Sequence, residues 1–260
     1  MSDELIISAK NVTKSFSLGG NKHHIAVNDV SLDMYKGETL ALVGESGCGK
    51  STLAKLLMRL IKADSGEIIF DGIDISSLSE KDVRPYRKRM QMVFQDPASS
   101  LDPRMKVRDV IAEPLKVWKV CDNKEEMDDR VRELLELVDL KESALDRYPH
   151  QFSGGQKQRI GIARAIALNP DLIICDESVS ALDVSVQAQI LNLLKRLKKE
   201  LGLSCLFISH DLSVVNFIAD RVCVMHDGQI CEMADKESIY SNPESEYTKY
   251  LLDAVHVYDV

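Results

Sequence analysis

The sequence predicts an α/β fold with a mostly parallel sheet. Apolar runs typical of buried strands alternate with segments of helical spacing, and that order indicates a largely parallel sheet. A glycine-rich segment joins one of these strands to one of these helices. With 260 residues, the chain is long enough for one large domain or two small ones.

The composition narrows the class of protein. Hydrophobic residues make up 45% of the chain and charged residues 28%, which excludes disordered, collagen-like and membrane-spanning folds. No apolar run approaches the roughly 18 residues of a transmembrane helix, and the N-terminal segment has no charged-then-apolar leader, so we expect a cytosolic protein. A net charge of −8 disfavours binding to nucleic acid. The six cysteines form no Cys-x-x-Cys pair, so reduced thiols are expected rather than a zinc or iron-sulfur site.

The first third of the chain predicts strands followed by a helix. Apolar and polar residues alternate over 30–34, as in a strand with one solvated face. A fully buried strand is expected over 38–43, running directly into the glycine-rich segment 44–52. The helix that follows carries an apolar stripe of Leu53, Leu56, Leu57 and Leu60.

The middle of the chain changes from strand to helix. A turn at Ser65 and Gly66 precedes a strand over 67–70, and another strand is expected over 90–94. From about 98 to 168 the spacing is helical, with apolar residues three, four and seven positions apart at Val131, Leu134, Leu135 and Val138. We therefore expect a helical subdomain inserted into the α/β core.

Buried strands return in the last third. They are expected over 172–177 and 203–210, on either side of a long helix that ends at Gly202. The segment 222–233 reads as a hairpin because Asp227-Gly228 stands at its centre.

The glycine-rich segment fits the phosphate-binding pattern G-x-x-x-x-G-K-[ST] over 44–51. Glycines let successive N–H groups point inward, and the N-terminus of the next helix adds positive potential, so the segment suits a di- or triphosphate. Lys50, on an exposed loop, is expected to reach the β and γ phosphates, and Ser51 to hold Mg²⁺. The alternative is a glycine turn with a solvated lysine. The predicted nucleotide contacts are Gly44, Glu45, Ser46, Gly47, Cys48, Gly49, Lys50, Ser51 and Thr52.

Cys48 lies beside Lys50 at the start of a helix. A nearby cation at a helix N-terminus lowers a thiol pKa, so a thiol that reacts with maleimide is expected. The alternative is an inert small side chain.

Two further segments carry candidate groups. Asp176 and Glu177 end an apolar strand, where adjacent carboxylates are costly to bury without a cation or a proton to handle. We expect Asp176 to support the Mg²⁺ shell and Glu177 to be the base for the attacking water; an ordinary acidic strand end is the alternative.

A second helix start suits further phosphate contacts, although a plain capped helix would explain it equally well. Its residues are Ser153, Gly154, Gly155 and Gln156.

These segments together resemble the ABC ATPases, in which an LSGGQ-type signature, here FSGGQKQR at 152–159, stands between a phosphate loop and an acidic strand. The resemblance covers nearly the whole chain and implies one nucleotide-binding domain over 1–260, with an N-terminal antiparallel β-subdomain, a helical subdomain at about 98–168 and a C-terminal extension at about 235–260. It also implies that two such domains pair head to tail, so that the signature of one caps the ATP held by the other.

The same resemblance assigns roles to four more residues. Gln95 matches the glutamine that contacts Mg²⁺ and reports to the membrane partner, and Asp183 lies in the loop that crosses the dimer interface. His210 matches the switch histidine at the γ-phosphate, with a satisfied core histidine as the alternative. Phe16 matches the aromatic ring that stacks on adenine, with plain core packing as the alternative.

Finer resemblance points to the ATPase subunits of peptide and nickel importers, through the segments 95–107, 179–194 and 242–255. It implies an ATP-hydrolysing, energy-coupling subunit at the cytoplasmic face of the membrane. Its partners would be integral membrane permease subunits, a second ATPase as homodimer or heterodimer and, indirectly, a solute-binding protein. The sequence departs from the usual importer pattern at two places: Ser178 replaces a usual proline, and Ser245-Glu246 replaces a usual His-Pro. These departures weaken the assignment of the substrate and leave the expected ATP hydrolysis unaffected.

Two other functions are compatible with an ABC ATPase. One is a soluble ATPase acting on ribosomes or nucleic acid, for which a long coiled coil or two fused cassettes would be expected; 260 residues do not hold either. The other is a nucleotide-gated binding protein without turnover, which would need a degenerate catalytic position, whereas Glu177 and His210 are both intact.

Overall fold

A computed structural model describes residues 4–17, 19–20 and 23–256. The chain divides into two compact units, Met1–Arg87 with Ser204–Val260, and Lys88–Leu203. The strands are β1 (Leu5–Ser17), β2 (His23–Tyr35), β3 (Thr39–Val43), β4 (Ser65–Phe70), β5 (Ile73–Asp74), β6 (Met90–Val93), β7 (Leu172–Asp176), β8 (Ser204–Ser209), β9 (Arg221–His226) and β10 (Gln229–Asp235). The helices are α1 (Lys50–Leu57), α2 (Glu80–Arg89), α3 (Pro97–Ser100), α4 (Val107–Trp118), α5 (Lys124–Leu137), α6 (Gly154–Ile166), α7 (Val184–Leu201), α8 (Leu212–Ile218), α9 (Lys236–Ser241) and α10 (Glu246–His256).

The first unit holds an antiparallel sheet in which β1 pairs with both β2 and β4, and β4 pairs with β5. Side chains of β2 alternate as predicted, since Val30, Leu32 and Met34 are buried while Ser31 is exposed. One face of this sheet therefore contributes to the core.

The same unit holds a second set of strands that places the phosphate loop. β3 pairs in parallel with β8 on one side and with β9 on the other, and β10 folds back against β9 through the predicted turn. Val43, the last residue of β3, lies in register with Ser209 and Val224. Because parallel strands end at the same edge, the residues that follow these three strands meet there.

The second unit combines a parallel strand pair with helices. β6 and β7 run in register from Met90 with Leu172 to Val93 with Cys175. Asp139, just beyond the end of α5, accepts hydrogen bonds from Arg159 of α6 and Arg196 of α7, each at 2.8 Å. One carboxylate thus joins three helices.

Several predicted boundaries were wrong. The helix α1 stops at Leu57, and Leu60 is 46% exposed rather than part of an apolar stripe. The cause lies at Arg59, whose φ of 52° ends the helix and whose buried guanidinium donates to the carbonyls of Ile75 and Leu78.

Other departures lie at strand and turn positions. Ser65 and Gly66 belong to β4 instead of forming a turn, because Ser65 pairs with Thr13 of β1. Glu38, Phe94 and Glu177 lie just outside the strands that were expected to include them. The region predicted as helical contains four helices from Pro97 to Ile166, with short 3₁₀ turns at Glu142–Ala144 and Pro149–Gln151.

The assignment of 1–260 to one nucleotide-binding domain stays a prediction, and residues 257–260 of the proposed extension lie outside the described residues. No described helix is both long and apolar enough to cross a membrane.

Candidate functional site

The phosphate loop follows β3 and depends on glycine at two close approaches. A Cβ atom at Gly44 would lie 2.1 Å from the carbonyl oxygen of Met225, and one at Gly49 would lie 2.1 Å from that of Ala26. Both glycines also have positive φ, 151° and 108°. Because any side chain would collide with these backbones, the loop sits closer to β2 and β9 than another residue would allow.

Lys50 opens α1 and turns back across the loop. Its ammonium donates to the carbonyl oxygens of Gly44 at 2.8 Å and Glu45 at 2.7 Å. The expectation of an exposed lysine was wrong, since Lys50 is only 4% exposed. Both acceptors are neutral, so they leave the positive charge of a buried cation uncompensated, which favours an anion there. The alternative of a solvated lysine is therefore ruled out.

The thiol of Cys48 does not have the expected electrostatics. Burial raises the pKa of Cys48, and this effect outweighs the lowering by the Lys50 ammonium. The side chain is only 7% exposed. The predicted lowering of the thiol pKa was wrong because desolvation of the thiolate costs more than its attraction to Lys50.

We expect maleimide at neutral pH to label the exposed Cys231 faster than Cys48 in the folded protein. Mass spectrometry of tryptic peptides over time measures both rates, and denatured protein, where the two should label alike, is the control. Labelling of Cys48 should speed up as the pH rises, since its thiolate forms above the usual pH range. Equal rates in the folded protein would contradict the burial argument.

His210 follows β8 at the edge where the phosphate loop begins. Ser209 pairs in register with Val43, so His210 and Gly44 both follow paired residues. The hydroxyl of Ser209 accepts from the N–H of Asp211 at 2.9 Å, and Asp211 in turn caps α8. His210 is exposed at this turn, so the alternative of a core histidine is ruled out.

Phe16 lies near the end of β1 and is 40% exposed, so its alternative, plain core packing, is also ruled out. The strand end is held by Asp64, whose carboxylate accepts from the Lys14 ammonium at 2.6 Å and from the N–H of Ser15 at 2.7 Å. These donors, with Lys14 the largest contributor, lower the pKa of Asp64 to about 2. The exposed ring of Phe16 at this strand end is available to stack on a flat partner.

In the second unit, the two strand ends bring Gln95 and Glu177 together. The amide of Gln95 donates to a carboxylate oxygen of Glu177 at 2.8 Å, and both residues stand two positions beyond the paired residues Val93 and Cys175. Asp176, the last residue of β7, is 7% exposed. Glu177 has a φ of 46°, uncommon for any residue but glycine, and such conformations occur at functional sites.

Ser178, which replaces the usual proline, has a buried hydroxyl that lacks a hydrogen-bond partner among the described residues. Its Oγ is buried, and no group within the described part of the chain forms a hydrogen bond with it. Burial of an unsatisfied hydroxyl is unfavourable.

We therefore expect Ser178→Ala to raise the free energy of unfolding by about 1 kcal/mol, because the substitution removes the buried hydroxyl. Chemical denaturation measures the change. Ser180→Ala is the contrast, since the Ser180 hydroxyl donates to the carbonyl of Glu177 at 3.0 Å and its loss should not stabilise the protein. A fall in stability for Ser178→Ala would show that the hydroxyl has a partner after all.

The signature segment starts α6 with a capping box. Ser153 Oγ accepts from the N–H of Gln156 at 3.4 Å, and the side chain of Gln156 accepts from the N–H of Ser153 at 3.1 Å. Both side chains therefore cap the helix, as the alternative of a plain capped helix also predicted. Glycine is needed at position 155 for a separate reason, because a Cβ there would lie 2.3 Å from the side chain of Val186 in α7. The predicted contact Asp183 is exposed at the N-cap position of α7, and Gly154 at the start of α6 is exposed as well.

One contact to the phosphate loop was not predicted. The hydroxyl of Tyr247, in α10, accepts from the N–H of Glu45 at 3.3 Å. Tyr247 lies in the tail segment 242–255, whose resemblance to importer subunits was the one sign in the sequence that this region matters.

The chain is similar to known ATP-binding transport proteins along most of its length. The family model described as ABC transporter matches residues 27–180. The chain is 54% identical to the oligopeptide transport ATP-binding protein OppF of Bacillus subtilis, over 90% of this chain and 77% of that protein. It is 47% identical to the dipeptide transport ATP-binding protein DppF of Lactococcus lactis, over 96% of this chain and 81% of that protein.

A solved structure gives the same answer for the fold. An ATP-binding cassette in a dimeric post-hydrolysis state bound to ADP and Pi superposes with a TM-score of 0.81 at 32% identity, over 88% of this chain and 98% of that one. The predicted α/β fold class and family resemblance are confirmed. A family match over more than half of the chain, with relatives this similar over most of their own length, makes the chain a member of the ABC transporter family.

Proposed function

We propose that this chain, an ABC ATPase, hydrolyses ATP to drive the import of peptides through a separate membrane permease. The observation that carries the nucleotide part is the phosphate loop. There the buried Lys50 ammonium donates to the carbonyls of Gly44 and Glu45 and to the sulfur of Cys48, and two glycines allow the loop to approach neighbouring backbones closely. Helix α1 begins in this loop, so its first N–H groups would donate to a phosphate bound there. Phe16 would stack on the adenine ring.

Mg²⁺ fits the donor set by its chemistry. The residues assigned to it offer a hydroxyl in Ser51, an amide oxygen in Gln95 and a carboxylate in Asp176, and oxygen donors are what this ion prefers. Within the described ranges there is no cluster of three or more His, Cys, Asp and Glu that would form an all-protein metal site. That suits an ion that takes few protein ligands and shares the phosphates of its substrate. Bound there, it would neutralise charge on the phosphate oxygens.

Hydrolysis would rest on Glu177. Its carboxylate accepts from the Gln95 amide at 2.8 Å, which orients the group that would accept a proton from water. His210 would donate to the γ-phosphate from the edge that also carries Gly44. Catalysis would consist mainly of positioning and charge stabilisation.

The signature at Ser153–Gln156 would bind ATP held by a second ATPase subunit, identical or similar. The N-terminus of α6 is suited to that role, because the helix dipole and the first backbone N–H groups of a helix favour anions. The dimeric cassette described above is a precedent of the same fold.

The transport role is supported by the relatives, whose names refer to oligopeptides and dipeptides, and this favours peptides over nickel complexes. It also disfavours the alternative of an ATPase acting on ribosomes or nucleic acid. We place the chain at the cytoplasmic face of the membrane, attached to permease subunits that receive peptide from a solute-binding protein.

Affinity purification of the tagged chain from detergent-solubilised membranes tests this assignment. We expect it to retain a multi-spanning membrane protein, together with a second ATPase if the pair is heterologous. Recovery of ribosomes or nucleic acid without any membrane protein would support the alternative instead.

A further inference from the structure

The first peptide group of the phosphate loop, between Gly44 and Glu45, is held on both edges. Its C=O accepts from the Lys50 ammonium at 2.8 Å, and its N–H donates to the Tyr247 hydroxyl at 3.3 Å. In a trans peptide these two groups point in opposite directions. A rotation of this peptide plane would therefore break both hydrogen bonds together.

Tyr247 is itself held by rigid surroundings. Its ring stacks on His226, the last residue of β9, with centroids 3.9 Å apart and an interplanar angle of 30°. Leu252, further along α10, is buried. The stacking on His226 and the burial of α10 at Leu252 both limit the movement of the phenol.

The start of α10 is anchored by one carboxylate. Glu232 of β10 accepts from the N–H groups of Glu244 at 2.9 Å and Ser245 at 3.0 Å. The hydroxyl of Ser245 then accepts from the N–H of Tyr247 at 3.3 Å. The serine that departs from the usual importer tail thus caps the helix that carries Tyr247.

The protonation state of the phenol suits this role. Burial raises the pKa of Tyr247, so its hydroxyl remains neutral over the physiological range. A neutral hydroxyl accepts the Glu45 N–H without placing a negative charge beside the loop that must bind phosphate.

We propose that Tyr247 is a positioning residue for nucleotide binding: its hydroxyl orients the Gly44–Glu45 peptide so that the Gly44 carbonyl holds the Lys50 ammonium within the loop. The inference rests on the proposed role of this loop in binding ATP. Without the hydroxyl, the peptide plane loses one of its two hydrogen bonds, and the acceptor that it offers to Lys50 is less firmly oriented. Nucleotide binding then has to order the loop, and that cost lowers affinity.

Tyr247→Phe tests the proposal because it removes one oxygen and keeps the ring that stacks on His226. Tyr250→Phe is the matched control, since it makes the same change three positions further along α10 at a side chain that is 62% exposed. Fluorescence titration with a labelled ADP gives Kd, and steady-state hydrolysis gives KM and kcat for ATP. Thermal melting monitors the fold.

For Tyr247→Phe we expect Kd and KM to rise about twofold to tenfold, as for the loss of one net hydrogen bond. The values of kcat and Tm should stay close to wild type, and Tyr250→Phe should change none of the four quantities. Wild-type Kd and KM in Tyr247→Phe would overturn the inference. A joint loss of kcat and Tm would overturn it too, because it would indicate a structural role.

Lys50→Ala separates this inference from the function on which it rests. If Lys50→Ala loses nucleotide binding while Tyr247→Phe binds like wild type, only the role of Tyr247 is wrong. If wild type and Lys50→Ala bind nucleotide equally, the proposed function of the loop fails.

Discussion

Glu177→Gln should stop ATP hydrolysis and trap the protein as an ATP-bound dimer. The amide keeps the size of the side chain and an oxygen that can accept from the Gln95 amide, now 2.8 Å from the carboxylate, but it has no basicity toward water. We expect kcat to fall by about 100-fold or more, within the usual range for loss of a general base. The phosphate loop and the signature helix are unchanged, so ATP binding remains.

Single-turnover hydrolysis and light scattering with and without Mg-ATP measure the two effects. A shift from monomer to dimer is expected in the variant alone, or with the second ATPase if the pair is heterologous. Glu136→Gln is the control, because it makes the same chemical change at an exposed position of α5. A Glu177→Gln protein that turns over ATP near the wild-type rate would remove Glu177 from the mechanism.

Lys50→Ala should abolish nucleotide binding. The side chain supplies the only cation within the loop segment 44–51, and its ammonium already lies at 2.7–2.8 Å from loop carbonyls. Loss of one such charged donor costs about 100-fold or more in turnover. Titration with labelled ADP, followed by ATPase assays, measures the loss.

Because Lys50 is buried, the substitution also needs a check on folding. Lys50→Met keeps most of the apolar stem, and its circular dichroism and melting temperature should match wild type while binding is still lost. Lys55→Ala, an exposed lysine of the same helix, should bind nucleotide normally. Nucleotide affinity that survives in both Lys50 variants would contradict the phosphate-loop assignment.

The parts of the site that sequence could predict are those with local patterns. A buried strand, a glycine loop and a helix follow one another within 39–57, so the position of Lys50 at the start of α1 followed from spacing alone. The pairing of Gln95 with Glu177 was not predicted as a contact, yet it results from two predicted strands, each of which ends one residue earlier than expected.

What could not be predicted depends on contacts between distant residues. The Tyr247 hydroxyl meets the Glu45 N–H across 202 positions, and no periodicity records such a contact. The burial of Lys50 and the burial that raises the pKa of Cys48 depend on how the folded chain surrounds the loop, which a local pattern does not record. Leu60 was placed on a helix because its spacing was right, whereas the backbone turn at Arg59 decided otherwise.

The role proposed for this chain is to drive peptide import by ATP hydrolysis. Right-side-out membrane vesicles loaded with Mg-ATP, from cells whose only copy of the chain is wild type or Glu177→Gln, test it through the uptake of a labelled oligopeptide. We expect ATP-dependent accumulation in wild-type vesicles and none above the ATP-free level in the variant. Equal accumulation in both, or none in wild-type vesicles that hydrolyse ATP and hold the permease and the solute-binding protein, would contradict it.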